Sequence, residues 1–279
     1  MTIRSVLRSD RTAIASLIYF ERHVHRHLDW RSPLDWIERQ PFVILEENDR
    51  IMAALACPPD PPEIAWIRLF AVSEDENFQN VWNPMWDRAL QILKGQVPNP
   101  QSAAIPLSLW FRSLLEGSGF HQTNQIIILK WMASQIQTKV GNNLSLIIRP
   151  MTAEDLPRVA EIDAQAFQPP WQVSQEGIAA SFHQAALAMV AESAEEIVGY
   201  QISTAANNSG HLARLAVAPQ WQHKGIGKAL VGDLQCQFYE QGYDYVTVNT
   251  QEDNQGSLLL YENTGFQITG ESYPLYEFP

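Results

Sequence analysis

The run Val217-Ala218-Pro219-Gln220-Trp221-Gln222-His223-Lys224-Gly225-Ile226-Gly227-Lys228-Ala229-Leu230 holds the residues best placed for chemistry. An apolar strand ends, a short loop carries two glycines, and a helix with Ile226, Leu230, Leu234 and Phe238 at intervals of four begins at once. Backbone N–H groups in a helix's first turn have no intrahelical acceptor and lie at the positive end of its dipole, so this turn is a candidate phosphate site. Gly225 and Gly227 are expected to let the backbone approach the anion. Other phosphate loops fail on residues. A Walker loop needs Gly at 222 and Ser or Thr at 229, where Gln222 and Ala229 stand, and a dinucleotide fingerprint needs Gly at 230, which is Leu230.

The charge distribution favours an anion at that turn. The 279 residues carry 19 Lys+Arg and 31 Asp+Glu, net −12, of which residues 1–140 account for −1 (14 against 15) and residues 141–279 for −11 (5 against 16). Lys224 and Lys228 are thus two of the five cations in an acidic half, and both flank the loop. Such a field repels nucleic acid and favours a cationic amine or a basic peptide, so the rest of the cleft is expected to be acidic. A composition of 46% hydrophobic and 18% charged residues excludes a disordered chain. The charged opening Thr2 to Arg11 does not read as a signal peptide and no run is long enough to span a bilayer, so a cytoplasmic protein without membrane partners is expected. Cys57 and Cys236 lack any CxxC or Cys/His spacing, and no metal is expected.

Stepping from the loop to its supports, the chain repeats itself at an offset of about 145 residues. Ile3-Arg4 answers to Ile148-Arg149, Leu69-Phe70-Ala71-Val72 to Arg214-Leu215-Ala216-Val217, and Leu115-Glu116-Gly117-Ser118-Gly119-Phe120 to Tyr261-Glu262-Asn263-Thr264-Gly265-Phe266. Two copies of one α/β unit follow, at 1–135 and 145–279, joined by a polar linker at 136–144. In the second copy the patterns predict a strand at 144–148, a helix from about 153, a hairpin of 187–192 with 197–203, strands at 212–217 and 245–250, and a last helix over 255–264 capped by Asn254 and Gly265. Strands and helices alternate only partly, which fits a mixed sheet better than a doubly wound parallel one.

These residues resemble the GNAT N-acetyltransferase superfamily. Gln222-x-x-Gly225-x-Gly227 is similar to its pyrophosphate loop Q/R-x-x-G-x-G/A, and Asn254 with Leu260-Tyr261-Glu262-Asn263-Thr264-Gly265-Phe266 is similar to its C-terminal N…LYxxxGF segment. Ala166-Phe167 with Pro170-Trp171 resembles the ribosomal-protein alanine acetyltransferase branch. The resemblance implies two tandem domains, each a mixed, mostly antiparallel sheet flanked by helices, with acetyl-CoA held between two parallel strands of the second. It further implies that Leu215, Ala216 and Val217 pair with the pantetheine arm, that Gln222, His223, Lys224, Gly225, Ile226, Gly227 and Lys228 hold the pyrophosphate, and that Asn254 bonds the cofactor. Tyr261 becomes the general acid of direct acetyl transfer to a primary amine, either a small cationic amine or a peptide amine. The branch places a Glu where Asn249 stands, and an amide cannot take a proton in this way. His211, Glu252, Asp253 or a water relay remain as the base, and a non-catalytic acyl-CoA-binding regulator is the alternative function.

In the first copy the loop positions read Asn77-Phe78-Gln79-Asn80-Val81-Trp82, with neither Gly nor cation, and Leu115 replaces Tyr261. A scaffold without the anion site is expected there. Seven of the nine Trp lie in residues 1–140, read as an aromatic surface packing on a partner domain or lining a groove. His23 and His27 fall on a possible helix as a solvated face. The pair of copies would make the chain a monomer with internal pseudo-symmetry, or a homodimer.

Overall fold

The computed structural model describes residues 1–97, 99–135 and 146–279, so the linker expected at 136–144 lies outside the described residues. The chain forms two compact units, Met1–Thr123 with Tyr273–Pro279, and Asn124–Ser272. These are not the two linear halves: the last residues of the chain complete unit 1, and residues from the end of the first repeat complete unit 2.

Unit 1 contains β1 (Thr2–Ser5), α1 (Arg11–Phe20), β2 (His23–Arg26), β3 (Phe42–Glu47), β4 (Arg50–Ala56), β5 (Ile64–Trp66), β6 (Leu69–Val72), α2 (Phe78–Gln96), β7 (Gln101–Ala104) and α3 (Leu109–Glu116). Its antiparallel sheet runs β1-β3-β4-β6-β2, and β5 pairs in parallel with β7. β8 (His121–Met132) carries the chain into unit 2, which holds β9 (Leu146–Pro150), α4 (Leu156–Ala166), α5 (Gln175–Gln184), β10 (Leu187–Ser193), β11 (Glu196–Ala206), β12 (Ser209–Val217), α6 (Ile226–Glu240), β13 (Tyr245–Gln251), α7 (Gln255–Glu262) and β14 (Gln267–Phe278), the last ending in unit 1. In unit 2 the order is β14-β8-β13-β12-β11-β10-β9, with β12 and β13 parallel and β9 to β12 antiparallel. The mixed, mostly antiparallel sheet is the expected one.

The repeat is physical as well as textual. Arg4 makes a two-bond fork to Asp10 (2.7 and 3.0 Å) and reaches Glu46 at 2.7 Å, while Arg149 makes the same fork to Asp155 (2.7 and 2.9 Å) and reaches Glu192 at 3.0 Å. In each unit the aspartate also accepts a backbone N–H at 2.7 Å, from Leu7 or Thr152, fixing the first strand to the start of the first helix.

Two expectations for unit 1 fail. His23 to Arg26 form strand β2, not a helix: Val24 and the ring-bearing neighbours pair with β6, so His23, His25 and His27 share one face by the two-residue period of a strand. His25 is buried, and His23 and His27 are half-buried. His25 stacks on Phe111 at 3.9 Å and His27 on Trp66 at 4.6 Å, and burial depresses both imidazoles, His25 to about 4. Most of these tryptophans are core rather than surface: Trp36, Trp66, Trp82 and Trp86 are buried within unit 1 and Trp131 within unit 2, while Trp30 and Trp110 are half-buried. Among the described residues no three His, Cys, Asp or Glu gather as a metal-holding group, and no helix is long and apolar enough to cross a membrane.

Candidate active site

β12 and β13 pair from Ser209/Tyr245 to Leu212/Val248 only, although both run on to Val217 and Gln251. The strands part at that point. The register of β11 against β12 skips Ala213, because Ser203 faces Leu212 while Ile202 faces Arg214, and such a bulge bends the strand. Beyond it the backbone of Leu215, Ala216 and Val217 has no strand neighbour toward β13 among the described residues. The resulting cleft, about 550 Å³ with its open mouth, is lined among others by Arg214, Asn249, Asn254, Ser257 and Tyr261.

The glycine loop leads straight from β12 into α6. His223 (φ 60°) and Gly225 (φ 84°) adopt the left-handed backbone, and Gly225 supplies the cap position of α6 without any side-chain cap bond. The first N–H groups of α6 therefore have no side-chain acceptor. Gln222 donates Nε2–H to the Val217 carbonyl at 3.1 Å, closing the turn. Arg149, Arg158 and Arg214 are all paired with carboxylates, whereas Lys224, which lies 4.5 Å over the Trp221 ring, and Lys228 make no ion pair among the described residues. A Cβ at Gly227 would sit 3.2 Å from Leu260, so this glycine also lets α6 pack closely on α7.

Asn254 caps α7, accepting the Ser257 N–H at 3.1 Å and donating to Gln251 Oε1 at 3.1 Å. Two turns further on, Tyr261 is buried among Leu129, Val248 and Phe266, yet lines the cleft; burial pushes its phenol up, so it stays protonated at neutral pH. Its hydroxyl donates no hydrogen bond within the described residues. Of the possible bases, Glu252 and Asp253 are exposed, and Asp253 accepts from Asn124 at 3.0 Å. His211 stands at the point where the strands part, with Nδ1 2.9 Å from Thr247 Oγ1 and a hydrogen bond to Asn249; burial lowers its pKa and the Asn249 contact partly offsets this. The imidazole is thus neutral at pH 7.

Sequence patterns missed the opposite wall. Asp163 of α4, fully buried, receives Arg214 Nε and Nη2 at 2.6 and 2.8 Å and the Tyr200 hydroxyl at 2.5 Å. A lone Arg in an apolar strand and a lone Asp beside an apolar helix stripe were the available signals. The expectation of an acidic cleft is also corrected: among the described residues no carboxylate lines it, and Arg214, which does, is neutralised by Asp163. The acidity lies mostly on exposed positions such as Glu195, Glu196, Glu240 and Glu262.

Residues 153–274 match the family described as acetyltransferase (GNAT) domain. N-acetyltransferase 8F1 of Rattus norvegicus is 37% identical over 90 residues, 30% of this chain and 41% of that protein. The ribosomal protein bS18-alanine N-acetyltransferase of Haemophilus influenzae is 29% identical over 120 residues, 43% of this chain and 80% of that protein. The chain spans 37% and 41% of the length of the first two curated relatives it matches. A tandem GNAT protein from the clavulanic acid biosynthesis pathway shares the fold with a TM-score of 0.63 at 12% identity, covering 99% of this chain and 97% of that one. Residues 153–274, within the second repeat, are thus similar to the acetyltransferase (GNAT) domain, and the tandem neighbour shares the fold of the whole chain.

Proposed function

We propose that unit 2 moves an acetyl group from acetyl-CoA to a primary amine. The observation that carries the reading is the parting of β12 from β13 beside a helix start that has no side-chain cap and is flanked by two lysines without carboxylate partners. Pyrophosphate would be held by the backbone of residues 222–228 with Lys224 and Lys228, and the free edge of Leu215, Ala216 and Val217 would receive the pantetheine amides as an added strand does. Asn254 would border the same arm. Acetyl-CoA supplies the activated thioester carbonyl.

The chain's own residues handle the protons. An acceptor amine is mostly charged at neutral pH, whether its pKa is lysine-like, near 10.4, or that of a peptide N-terminus, about 8, and it must lose its proton before attack. His211, neutral and oriented by Thr247 and Asn249, takes that proton in place of the Glu that Asn249 replaces. As the C–N bond forms and the C–S bond breaks, Tyr261 donates its hydroxyl proton to the departing thiolate sulfur. With no carboxylate on the wall and with Phe167 and Trp171 there, the acceptor is an amine borne on an uncharged, partly apolar group, which a peptide N-terminus satisfies.

The test is to mix the protein with acetyl-CoA and a panel of amines, following free thiol release, with acetyl-CoA binding measured by calorimetry. Binding with acceptor-dependent thiol release supports the reading. Binding without release by any amine would leave the acyl-CoA-binding regulator in its place, and no binding would overturn both.

A further inference from the structure

Arg214 has a task beyond charge balance. Besides its fork to Asp163, its Nη2 donates to the Trp171 carbonyl at 2.7 Å, and its guanidinium lies 3.9 Å over the Phe167 ring. Asp163 in turn accepts the Val173 N–H at 3.2 Å. One buried pair thus holds both ends of residues 167–173, the segment that follows α4 and faces β12.

Unit 1 contains the same place in another state. Its strand registers align the repeats residue by residue: Ala54 faces Ala71 and Ala56 faces Leu69, just as Tyr200 faces Ala216 and Ile202 faces Arg214. Leu69 therefore answers to Arg214 and Ala54 to Tyr200. The buried stripes Ile14, Leu17 and Val159, Ile162 make Ile18 answer to Asp163. All three polar residues are apolar in unit 1, packed in one cluster. There the segment after the first helix is β2, and it pairs with the whole of β6, the strand that answers to residues 214–217. It occupies the side of β6 that in unit 2 stays free.

We propose that Arg214, gripped by Asp163 and Tyr200, is a positioning residue that holds residues 167–173 off the free edge of β12 and makes them the wall the acceptor meets. Pro169 and Pro170, which lack N–H groups, further prevent the segment from adding as a strand. Removing one member of a buried ion pair strands the other charge, whereas exchanging all members for apolar groups avoids that penalty, so the informative variant carries the first repeat's residues. The part of the inference that concerns the acceptor rests on the acetyl-transfer reading; the part that concerns the segment does not.

In D163I/Y200F/R214L the segment should collapse onto β12. Amide hydrogen exchange of Leu215 and Val217, whose N–H groups alternate with those bonded to β11, should slow by at least about tenfold without ligand as those groups find partners, and acetyl-CoA binding should weaken by a similar factor. Unchanged or faster exchange with intact binding would overturn the inference. Arg214→Lys keeps the charge but has a single ammonium for two acceptors, so the Trp171 bond is lost. The acceptor KM should then rise about tenfold while kcat and the acetyl-CoA Kd stay near the parent's; an unchanged KM would count against the positioning role. If the triple variant does not fold, Arg214→Lys decides by KM and by exchange at residues 167–173, which should quicken. If the parent acetylates no amine, the exchange readouts still decide this inference, and that failure strikes only the acetyl-transfer reading.

Discussion

The two units keep one scaffold and differ at one place. Both tie the first strand to the first helix with an Arg–Asp–Glu cluster, and both end their last helix with a backbone bond to the same residue, Phe120 N–H to Leu115 O and Phe266 N–H to Tyr261 O. The differences gather around the opening. Asn77 caps α2 by accepting the N–H groups of Gln79 and Asn80, where Gly225 leaves α6 without a side-chain cap. β2 pairs with the strand edge that stays free in unit 2, and Leu115 stands fully buried where Tyr261 meets the cleft. Residues that build the sheet and its first corner are thus separable from residues that open it. In unit 1 the corresponding opening is filled by β2 and by aromatic rings, and such packing supplies contacts that an empty apolar cleft forgoes.

This contrast can be broken or sharpened by experiment. The largest effect is expected at Tyr261: Tyr261→Phe should lower kcat by about 100- to 10,000-fold with acetyl-CoA binding retained, and a variant as fast as the parent would make the hydroxyl a bystander. His211→Gln should cost about 100-fold in kcat. In the parent, kcat should fall on the acid side with a midpoint below 6.5, because burial depresses this imidazole and the base works only when neutral. The variant should lose that limb; a limb that persists assigns it to another group.

Unit 1 should reveal its buried histidines through stability. His25 titrates at about 4 in the folded chain against 6.5 unfolded, so below pH 6.5 the unfolded chain binds the extra proton and stability drains away until about pH 4. The shift corresponds to about 3 kcal/mol, and His25→Gln should make that part of the Tm-against-pH curve shallower, with His27, also depressed by burial, keeping the remainder. At the helix starts the comparison is direct. K224E/K228E should weaken acetyl-CoA binding by about ten- to a hundredfold. Asn77→Ala should cost about 1 kcal/mol of stability and confer no second binding site, as β2 still fills that opening. The smallest effect concerns salt: with no carboxylate on the cleft wall, kcat/KM for a cationic amine should change by less than about twofold between low and high ionic strength, and a steep fall would restore the acidic cleft.

Much of this was legible in the sequence because it is written locally. The Gly225 turn, the Asn254 cap, the four-residue stripe of α6 and the three repeated segments are set by neighbours within a few positions, and the structure carries them as read. The histidines of β2 were misread because i, i+2 and i, i+4 spacings both place His23 and His27 on one face, and only pairing with β6 decides which period holds. The packing of Gly227 against Leu260 was likewise not legible, since the two are 33 positions apart in the chain.

By itself the sequence determined the doubled α/β unit, the mixed sheet, the loop before α6 and the candidate acid, because propensity, capping and periodicity act through short stretches of chain. Tertiary structure alone decided which opening stays clear, that Asp163, Tyr200 and Arg214 meet, that the cleft wall lacks carboxylates, and that the ends of the repeats complete opposite units. Each depends on strand register and on contacts between residues tens of positions apart. A sum of charges over half a chain cannot tell an exposed carboxylate from one lining a cleft, and a pattern of apolar residues cannot tell which strand edge finds a partner.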